Sequence, residues 1–267
     1  MPEGDTIYRV ARRIEASLVG QQVLGASSRD RLPATDKLSG SLLTSARSRG
    51  KHLLVDFDCG YSVHTHFGMT GAWHIYQRGA EWAKPAGRAG LVLTFPRHVA
   101  VCYSPKLLTI VRSGTLHHHR QLGRLGPDLL AGYFDMTTAL ARLRTHDSVP
   151  VGEALLNQQL VAGIGNVYKS EVLFLNKTNP FIQVGELSDQ QLVSLLEDAR
   201  RLMQRNLEGT PRKVRFATRG GRVWVYNRSG QPCYTCGDKV TMRRQGDAGR
   251  STYYCGRCQQ VAEAGQV

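Results

Sequence analysis

Four cysteines near the C-terminal end constrain this chain more than any other feature. Cys233, Cys236, Cys255 and Cys258 are spaced C-x2-C-x18-C-x2-C. A C-x-x-C turn directs two thiolates toward one point, and two such turns complete a tetrahedral all-thiolate site of the kind that holds zinc. Such a site has no open position for substrate, so its ion is expected to fold the module and take no part in chemistry. The intervening KVTMRRQGDAGRSTYY reads as two short strands joined by a glycine-containing turn. Two other readings compete. A disulfide pair needs an oxidising compartment, but MPEGDTIYRV places two acids where a secretory leader has basic residues and an apolar run. A redox C-x-x-C needs a βαβ setting that the pattern does not offer. One structural zinc ion and no organic cofactor is therefore the expected complement, in a cytoplasmic protein. Cys59 and Cys102 stand apart in apolar, strand-like surroundings and read as small core residues.

The 267 residues carry 35 Lys and Arg against 21 Asp and Glu, a formal net charge of +14. That excess favours a polyanionic partner, which in the cytoplasm means nucleic acid; a diffuse basic surface is the plain alternative. Arg243, Arg244, Arg250 and Arg257 decorate the cysteine module, where they suit phosphate contact or simply solvation. Hydrophobic residues make up 41% of the chain, which argues against global disorder. No apolar run approaches the ~20 residues of a membrane-spanning helix, so no membrane role is expected. His117, His118 and His119 are adjacent and cannot all face one metal from a strand or helix; they read as solvated or phosphate-proximal.

Periodicity divides the chain. Ile7, Val10, Ala11, Ile14 and Leu18 mark an amphipathic helix over 5–19, with Asp5 as a plausible N-cap and Gly20 at its stop. From about 21 to 112 the pattern is β-rich. KHLLVDFD turns through Cys59-Gly60 into YSVHTHFG as a hairpin, and LVLTF, HVAVCY and LLTIV follow as short strands. Gly126-Pro127 opens a transition, and from about 135 to 222 the chain reads helical. Ser188 to Gln191 resembles a capping box ahead of an apolar stripe from Leu192 to Met203. Residues 209–222 are rich in Gly and basic side chains and read as a loop; the strand signal returns at about 222.

Two further segments have chemical potential. LLNQQLVAGIGNVYKSEVLF reads as two helix-like segments split by glycines, with Asn166 beginning the second. The N-terminus of that second helix presents free N–H groups suited to a phosphate, although a plain helix–turn–helix packing element has the same pattern. At the start of the chain, a small second residue permits removal of Met1. Pro2 would then be a secondary amine with a pKa near ~8, able to attack a sugar's anomeric carbon. Glu3 beside it could transfer protons, although MPE alone is a common start.

PEG at 2–4, SRGKHLL containing Lys51, HFGMTG at 66–71, GIGNVYKSE at 163–171 and GRSTYYCGRCQQ on the cysteine module together resemble the formamidopyrimidine-DNA glycosylase/endonuclease VIII family of base-excision repair. The resemblance spans nearly the whole chain. It implies an α+β protein: an N-terminal β-sandwich with an N-terminal helix (1–125), a helical helix–two-turn–helix domain (126–227), and an antiparallel β-hairpin zinc finger (228–262). It implies a monomeric DNA glycosylase and AP lyase acting on damaged DNA. In that scheme Pro2 is the Schiff-base nucleophile and Glu3 the general acid/base. Lys51, placed on a strand before the hairpin, contacts the phosphate beside the lesion and assists strand cleavage. Asn166 holds the backbone at the lesion, Arg250 clamps the adjacent phosphate, Met69 enters the gap left by the flipped nucleotide, and His66 contacts phosphate. Asp5-Thr6 replaces the family's frequent Pro-Glu pair, and YSPKLLTIVRSG offers no match to its other gap-filling residues. The short stretch between Arg212 and Tyr226 leaves little room for a lesion-capping loop, so the endonuclease VIII branch and oxidised pyrimidines are preferred. An 8-oxoguanine/formamidopyrimidine glycosylase and a catalytically silent damage-binding protein are the alternatives.

Overall fold

The computed structural model describes residues 1–118, 120–209 and 211–260. The chain divides into two compact units, Met1–Arg124 and Leu125–Val267. The first unit opens with α1 (Gly4–Leu18). Its N-cap is Glu3 and not Asp5: Glu3 has extended backbone, and its carbonyl accepts the Thr6 and Ile7 amides. Asp5 falls instead in the first turn, where a negative charge is favoured by the helix dipole. The apolar stripe of α1 buries Ile7, Ala11, Ile14 and Leu18.

Among the described residues, eight strands follow in this unit: β1 (Gly25–Ser28), β2 (Leu43–Arg49), β3 (His52–Phe57), β4 (Tyr61–His66), β5 (Ala72–Gln77), β6 (Ala89–Thr94), β7 (His98–Tyr103) and β8 (Leu107–Arg112). They make two antiparallel four-stranded sheets, ordered β1-β6-β7-β5 and β2-β3-β4-β8. The expected hairpin is β3–β4, in register at Val55 opposite Val63. One core joins both sheets and the helix, with Leu53, Val55, Phe57 and Val63 meeting Leu91, Leu93, Ala100 and Cys102. Each Leu, Val or Phe among them contributes about 2 kcal/mol by leaving water. This is the expected β-sandwich with its N-terminal helix. Cys102 is a core residue, but Cys59 is exposed; it lies in the β3–β4 turn, after the strand has ended. A short α2 (Arg120–Gly123) closes the unit.

The second unit holds α3 (Met136–Arg144), α4 (Val151–Ala154), α5 (Asn166–Leu175) and α6 (Asp189–Gln204), then the hairpin β9 (Thr241–Gln245) and β10 (Arg250–Tyr254). The capping box of α6 is present in both directions, Gln191 N–H to Ser188 Oγ at 3.2 Å and Ser188 N–H to Gln191 Oε1 at 2.8 Å. Its stripe packs on Tyr168, Val172 and Leu173 of α5.

Two expectations fail here for the same kind of reason. The segment before the glycines does not form a helix; 155–165 runs as turns and bends, with Ala162 in an isolated bridge to Asp128. Asn157 Oδ1 accepts the Gln159 amide and Gln158 Oε1 accepts the Gly163 amide, both at 3.0 Å, while Gln158 Nε2 donates to Leu156 and Ile164 carbonyls. Side chains thereby take over bonds that a helix would have made. Nor does a strand return at 222. The Trp224, Val225 and Tyr226 amides donate to the Glu171 carboxylate at 2.6, 2.9 and 2.8 Å, so no ladder forms before β9.

The turns after α4 also need Gly126. Its amide donates to the Gln158 carbonyl, and a Cβ there would lie 2.3 Å from the Leu160 oxygen and 2.5 Å from its carbon. Both are backbone atoms and cannot step aside. Gly126→Ala is expected to destabilise the second unit by about 2 kcal/mol or more. A lowered urea midpoint for that unit, with the sandwich transition unchanged, checks this.

Candidate active site and metal centre

Pro2 is half-buried at the entry to α1, and Glu3 behind it is fully buried at the helix N-cap. Lys51 is not on a strand. Arg49 pairs with His52, so Gly50-Lys51 is the two-residue turn between β2 and β3. Lys51 therefore stands at the rim of the sheet, half-buried.

His66 ends β4, paired with His52 on β3 and Leu107 on β8. The Gly68 amide donates to its Nδ1 at 3.2 Å, which leaves Nε2 as the protonated nitrogen of the neutral ring. Burial first, then the charges of Lys51 and Lys106, push its pKa down to about 4. Its ring lies 4.9 Å from His52, whose Nδ1 is 2.8 Å from Nε2 of the buried His64. Lys51, His66 and Lys106 thus gather as two ammoniums around a neutral N–H donor, an arrangement suited to an anion. Lys106 was not visible in the sequence, where YSPKLL carries no motif. It is brought in by the β4–β8 register, with its amide donating to the His66 carbonyl at 2.9 Å.

Met69 projects from the turn that follows, 71% exposed although apolar. The turn is fixed beneath it. Phe67 is buried, the Gly71 amide donates to the Phe67 carbonyl at 3.0 Å, and a Cβ on Gly71 would lie 2.5 Å from that oxygen. Met69 is accordingly no core filler.

In the second unit Asn166 is the first residue of α5, after a Gly165 N-cap that offers no side chain. Asn166 is 3% exposed and its Nδ2 donates to the Ser251 carbonyl of β10 at 2.6 Å. Arg250, one residue earlier, is exposed at the start of β10 opposite Gln245. The sequence reading missed two neighbours on α5. Lys169 is fully buried, with Nζ 2.7 Å from Thr252 Oγ1. Glu171 is equally buried; burial raises its pKa and the three amides that it accepts only partly offset that. Neither has a periodic signature, because both face polar partners distant in sequence.

Several basic residues are held against aromatic rings. The Arg212 guanidinium lies 5.0 Å from the Tyr168 ring, Arg215 4.1 Å and Arg228 3.5 Å from Tyr234, and Arg243 4.4 Å from Phe181. His119 lies outside the described residues, as do the side chains of His117 and His118.

The sulfurs of Cys233, Cys236, Cys255 and Cys258 lie within 4.8 Å of one another. Cys233 and Cys258 are 3.8 Å apart, and Cys236 and Cys255 are 3.4 Å apart. A tetrahedral ion with metal–sulfur bonds of ~2.3 Å needs sulfurs ~3.8 Å apart, so the four fit one ion. Burial raises the Cys233 thiol, but the Cys236 and Thr235 amides together with Cys255 and Cys258 bring it below its ordinary value, whereas burial holds the Cys255 and Cys258 thiols above theirs.

Comparison with known proteins agrees with this layout. The model of the formamidopyrimidine-DNA glycosylase N-terminal domain matches residues 1–106, that of the H2TH domain 125–217, and that of the zinc finger found in FPG and IleRS 230–261. A probable endonuclease 8 2 of Streptomyces coelicolor is 39% identical, over 97% of this chain and 94% of its own length. The DNA-(apurinic or apyrimidinic site) lyase Nei2 of Mycolicibacterium smegmatis is 35% identical, over 97% and 99%. Lactococcus lactis Fpg, solved in complex with DNA containing N7-benzyl-Fapy-dG, has the same fold, with a TM-score of 0.83 at 23% identity over 97% of this chain and all of that one. The fold and its three matched modules define a DNA-repair protein of the glycosylase/AP lyase class. The chain belongs to the formamidopyrimidine-DNA glycosylase/endonuclease VIII family, with curated relatives named endonuclease 8 among its matches.

The depressed His66 pKa has a stability consequence. Between about 4 and the ordinary 6.5 the unfolded chain binds a proton that the folded chain refuses. This contribution is fully present above 6.5 and is lost as pH falls through about 4. His66→Asn is expected to flatten the acid side of the stability profile over that window, read as the difference in urea midpoint between variant and parent. An unchanged slope would show that His66 is not held neutral.

Proposed function

We propose that this chain is a bifunctional DNA glycosylase and AP lyase that excises oxidised bases, pyrimidines preferred, and cleaves the strand by β- and δ-elimination. The observation that carries the reading is Pro2 at the mouth of α1 with Glu3 buried behind it, in a chain that aligns end to end with endonuclease 8 relatives. Damaged DNA is the partner; the related Lactococcus lactis Fpg was crystallised with an oxidised pyrimidine-containing DNA and with an AP-site DNA.

With Met1 removed, the Pro2 nitrogen attacks C1′ of the damaged nucleotide. The base departs with the glycosidic electron pair and takes up a proton, and the Pro2 nitrogen, now bonded to C1′, gives up its own; the sugar ring then opens, the C1′–O4′ bond breaking as O4′ takes a proton, and the nitrogen lone pair closes an iminium between Pro2 and C1′. That cation acidifies C2′–H; loss of this proton expels the 3′-phosphate oxygen, and a second elimination expels the 5′-phosphate oxygen. Glu3 serves as the proton donor and acceptor. Lys51, with His66, contacts phosphate beside the lesion and stabilises the departing charge. Asn166 and Arg250 hold the damaged strand by its backbone, and Met69 fills the gap, since the target base must leave the stack to be reached. The pyrimidine preference is supported by the closed path of 214–222. The Val214 and Arg215 amides both donate to the Arg222 carbonyl, and the Gly221 amide donates to Tyr234 Oη at 2.9 Å, which leaves little chain to cap a purine. The metal is zinc, as the four-thiolate donor set favours.

Borohydride is expected to trap a covalent adduct on abasic DNA, with peptide mass spectrometry placing it on Pro2. An adduct on an internal lysine contradicts the assignment. On a panel of single-lesion duplexes, faster excision of 8-oxoguanine than of oxidised pyrimidines overturns the preference while leaving the chemistry intact.

Glu3→Gln is expected to lose base excision by about 100-fold or more, and cleavage of preformed abasic sites much less, because only the first requires protonation of a leaving base. Equal losses in single-turnover assays would assign Glu3 to folding.

Metal analysis is expected to find one zinc per chain. Cys255→Ser should release it and weaken DNA binding while the sandwich stays folded, since metal binding and local folding are coupled. Unweakened DNA binding by metal-free protein would refute this.

A further inference from the structure

Asn166 and Lys169 lie three residues apart on one face of α5 and share an acceptor. The Ser251 carbonyl takes the Asn166 Nδ2 donor at 2.6 Å, and Lys169 Nζ lies 3.5 Å from the same oxygen. Lys169 is anchored independently. Its Nζ is 2.7 Å from Thr252 Oγ1, which donates to Gln245 Oε1 at 2.9 Å, and Gln245 Nε2 donates to the Pro180 carbonyl at 2.8 Å. Lys169, Thr252 and Gln245 are all buried, so this chain of bonds fixes the ammonium. An ammonium has three donors, enough to serve Thr252 and Ser251 together.

Asn166 is differently placed. It is 3% exposed, and its Oδ1 is buried without a hydrogen-bond partner. The amide is only 3% exposed where it lies, so contact with a DNA phosphate is taken to require it to turn outward, away from the Ser251 carbonyl. The half-buried Ser251 carbonyl would then keep only the long 3.5 Å contact from Lys169, and a hydrogen bond weakened there would count against DNA binding. The Lys169 ammonium, already beside this carbonyl, needs only to close in.

We infer that Lys169 is a positioning residue that takes over the Ser251 carbonyl when Asn166 turns to a DNA phosphate. The inference rests on the reading of Asn166 as a phosphate contact. It separates two tasks that one side chain performs in the free protein: Asn166 satisfies the hairpin until DNA arrives, and Lys169 satisfies it afterwards. The hairpin carrying Arg250 then stays in place while Asn166 moves.

A double-mutant cycle in the full, metal-loaded chain tests this. Wild type, Asn166→Ala, Lys169→Met and the double variant are titrated with a duplex carrying a tetrahydrofuran abasic analogue, and the metal content of each is measured. A hand-off requires coupling. Lys169→Met should weaken binding about tenfold when Asn166 is present, and less than about twofold when position 166 is Ala. Equal losses in both backgrounds overturn the inference, because a lysine that merely props the hairpin acts whether or not Asn166 is there. No loss in either background overturns it too. Lys169→Gln, whose amide nitrogen stops one bond short of serving both acceptors, carries the same expectation and replaces Lys169→Met if that variant loses metal. Metal loss from both variants would assign Lys169 to folding and equally overturn the inference. The reading of Asn166 fails by a different result: Asn166→Ala binding the duplex as tightly as wild type.

Discussion

Burial of α5 is the constraint on which the second unit depends. Every residue from Asn166 to Phe174 on this helix is buried, including three with strongly polar side chains. Asn166 reaches the Ser251 carbonyl, Lys169 reaches Thr252, and Glu171 takes the Trp224, Val225 and Tyr226 amides. A buried ammonium and a buried carboxylate are expensive unless satisfied. They are tolerated because each fixes something that apolar packing would leave loose. The 3.6-residue repeat puts positions 166 and 169 on one side of the helix and 171 well round it. The hairpin and the segment leading to it are therefore tied to different sides of one helix by directional bonds.

The first unit works by the opposite means. Its sandwich packs through one apolar cluster, with the buried polar pairs His52–His64 and Asp56–Ser62 beside it, and the groups proposed to act stand where elements end: Pro2 and Glu3 where α1 begins, Lys51 in a hairpin turn, His66 at a strand end and Met69 on the turn beyond. The antiparallel register of β3, β4 and β8 decides which of these meet. It sets His66 across from Leu107 and brings Lys106 to its carbonyl, which makes a cationic cluster from residues without a common motif. A histidine between two ammoniums stays neutral at physiological pH. It can then offer an N–H to a phosphate without adding a third repelling charge.

What was legible in the sequence follows from this contrast. The α1 stripe, the β3–β4 hairpin, the α6 capping box and the thiolate spacing are all short-range regularities, and each lies where the pattern puts it. The failures are places where a side chain replaces a backbone partner. Asn157 and Gln158 turn an apparent helix into turns, and Glu171 removes three amides from a would-be strand. Asp5 lies two residues past the true N-cap, in the first helical turn, and Lys51 one residue outside its strand, in a hairpin turn, because periodicity locates an element better than its ends. Lys106 and Lys169 were missed outright. Their neighbours come from strand register and from packing on a hairpin more than 80 residues away, and neither leaves a trace in local spacing.

The same hairpin shows why a metal that takes no part in chemistry belongs in such a protein. Cys255 directly follows β10, and β10 pairs with β9 from Tyr254 opposite Thr241 to Arg250 opposite Gln245. Fixing Cys255 fixes the root of the ribbon, but five residues of strand carry Arg250 about 17 Å from that root. A two-stranded ribbon held at one end would let its tip wander, since isolated hairpins are marginal in water. The buried bonds of Gln245 and Thr252 to Pro180 and Lys169 supply the second point of attachment, close to the tip. An arginine proposed to meet one phosphate needs both supports. Thiolates and ion set where the ribbon starts, and α5 sets where it points.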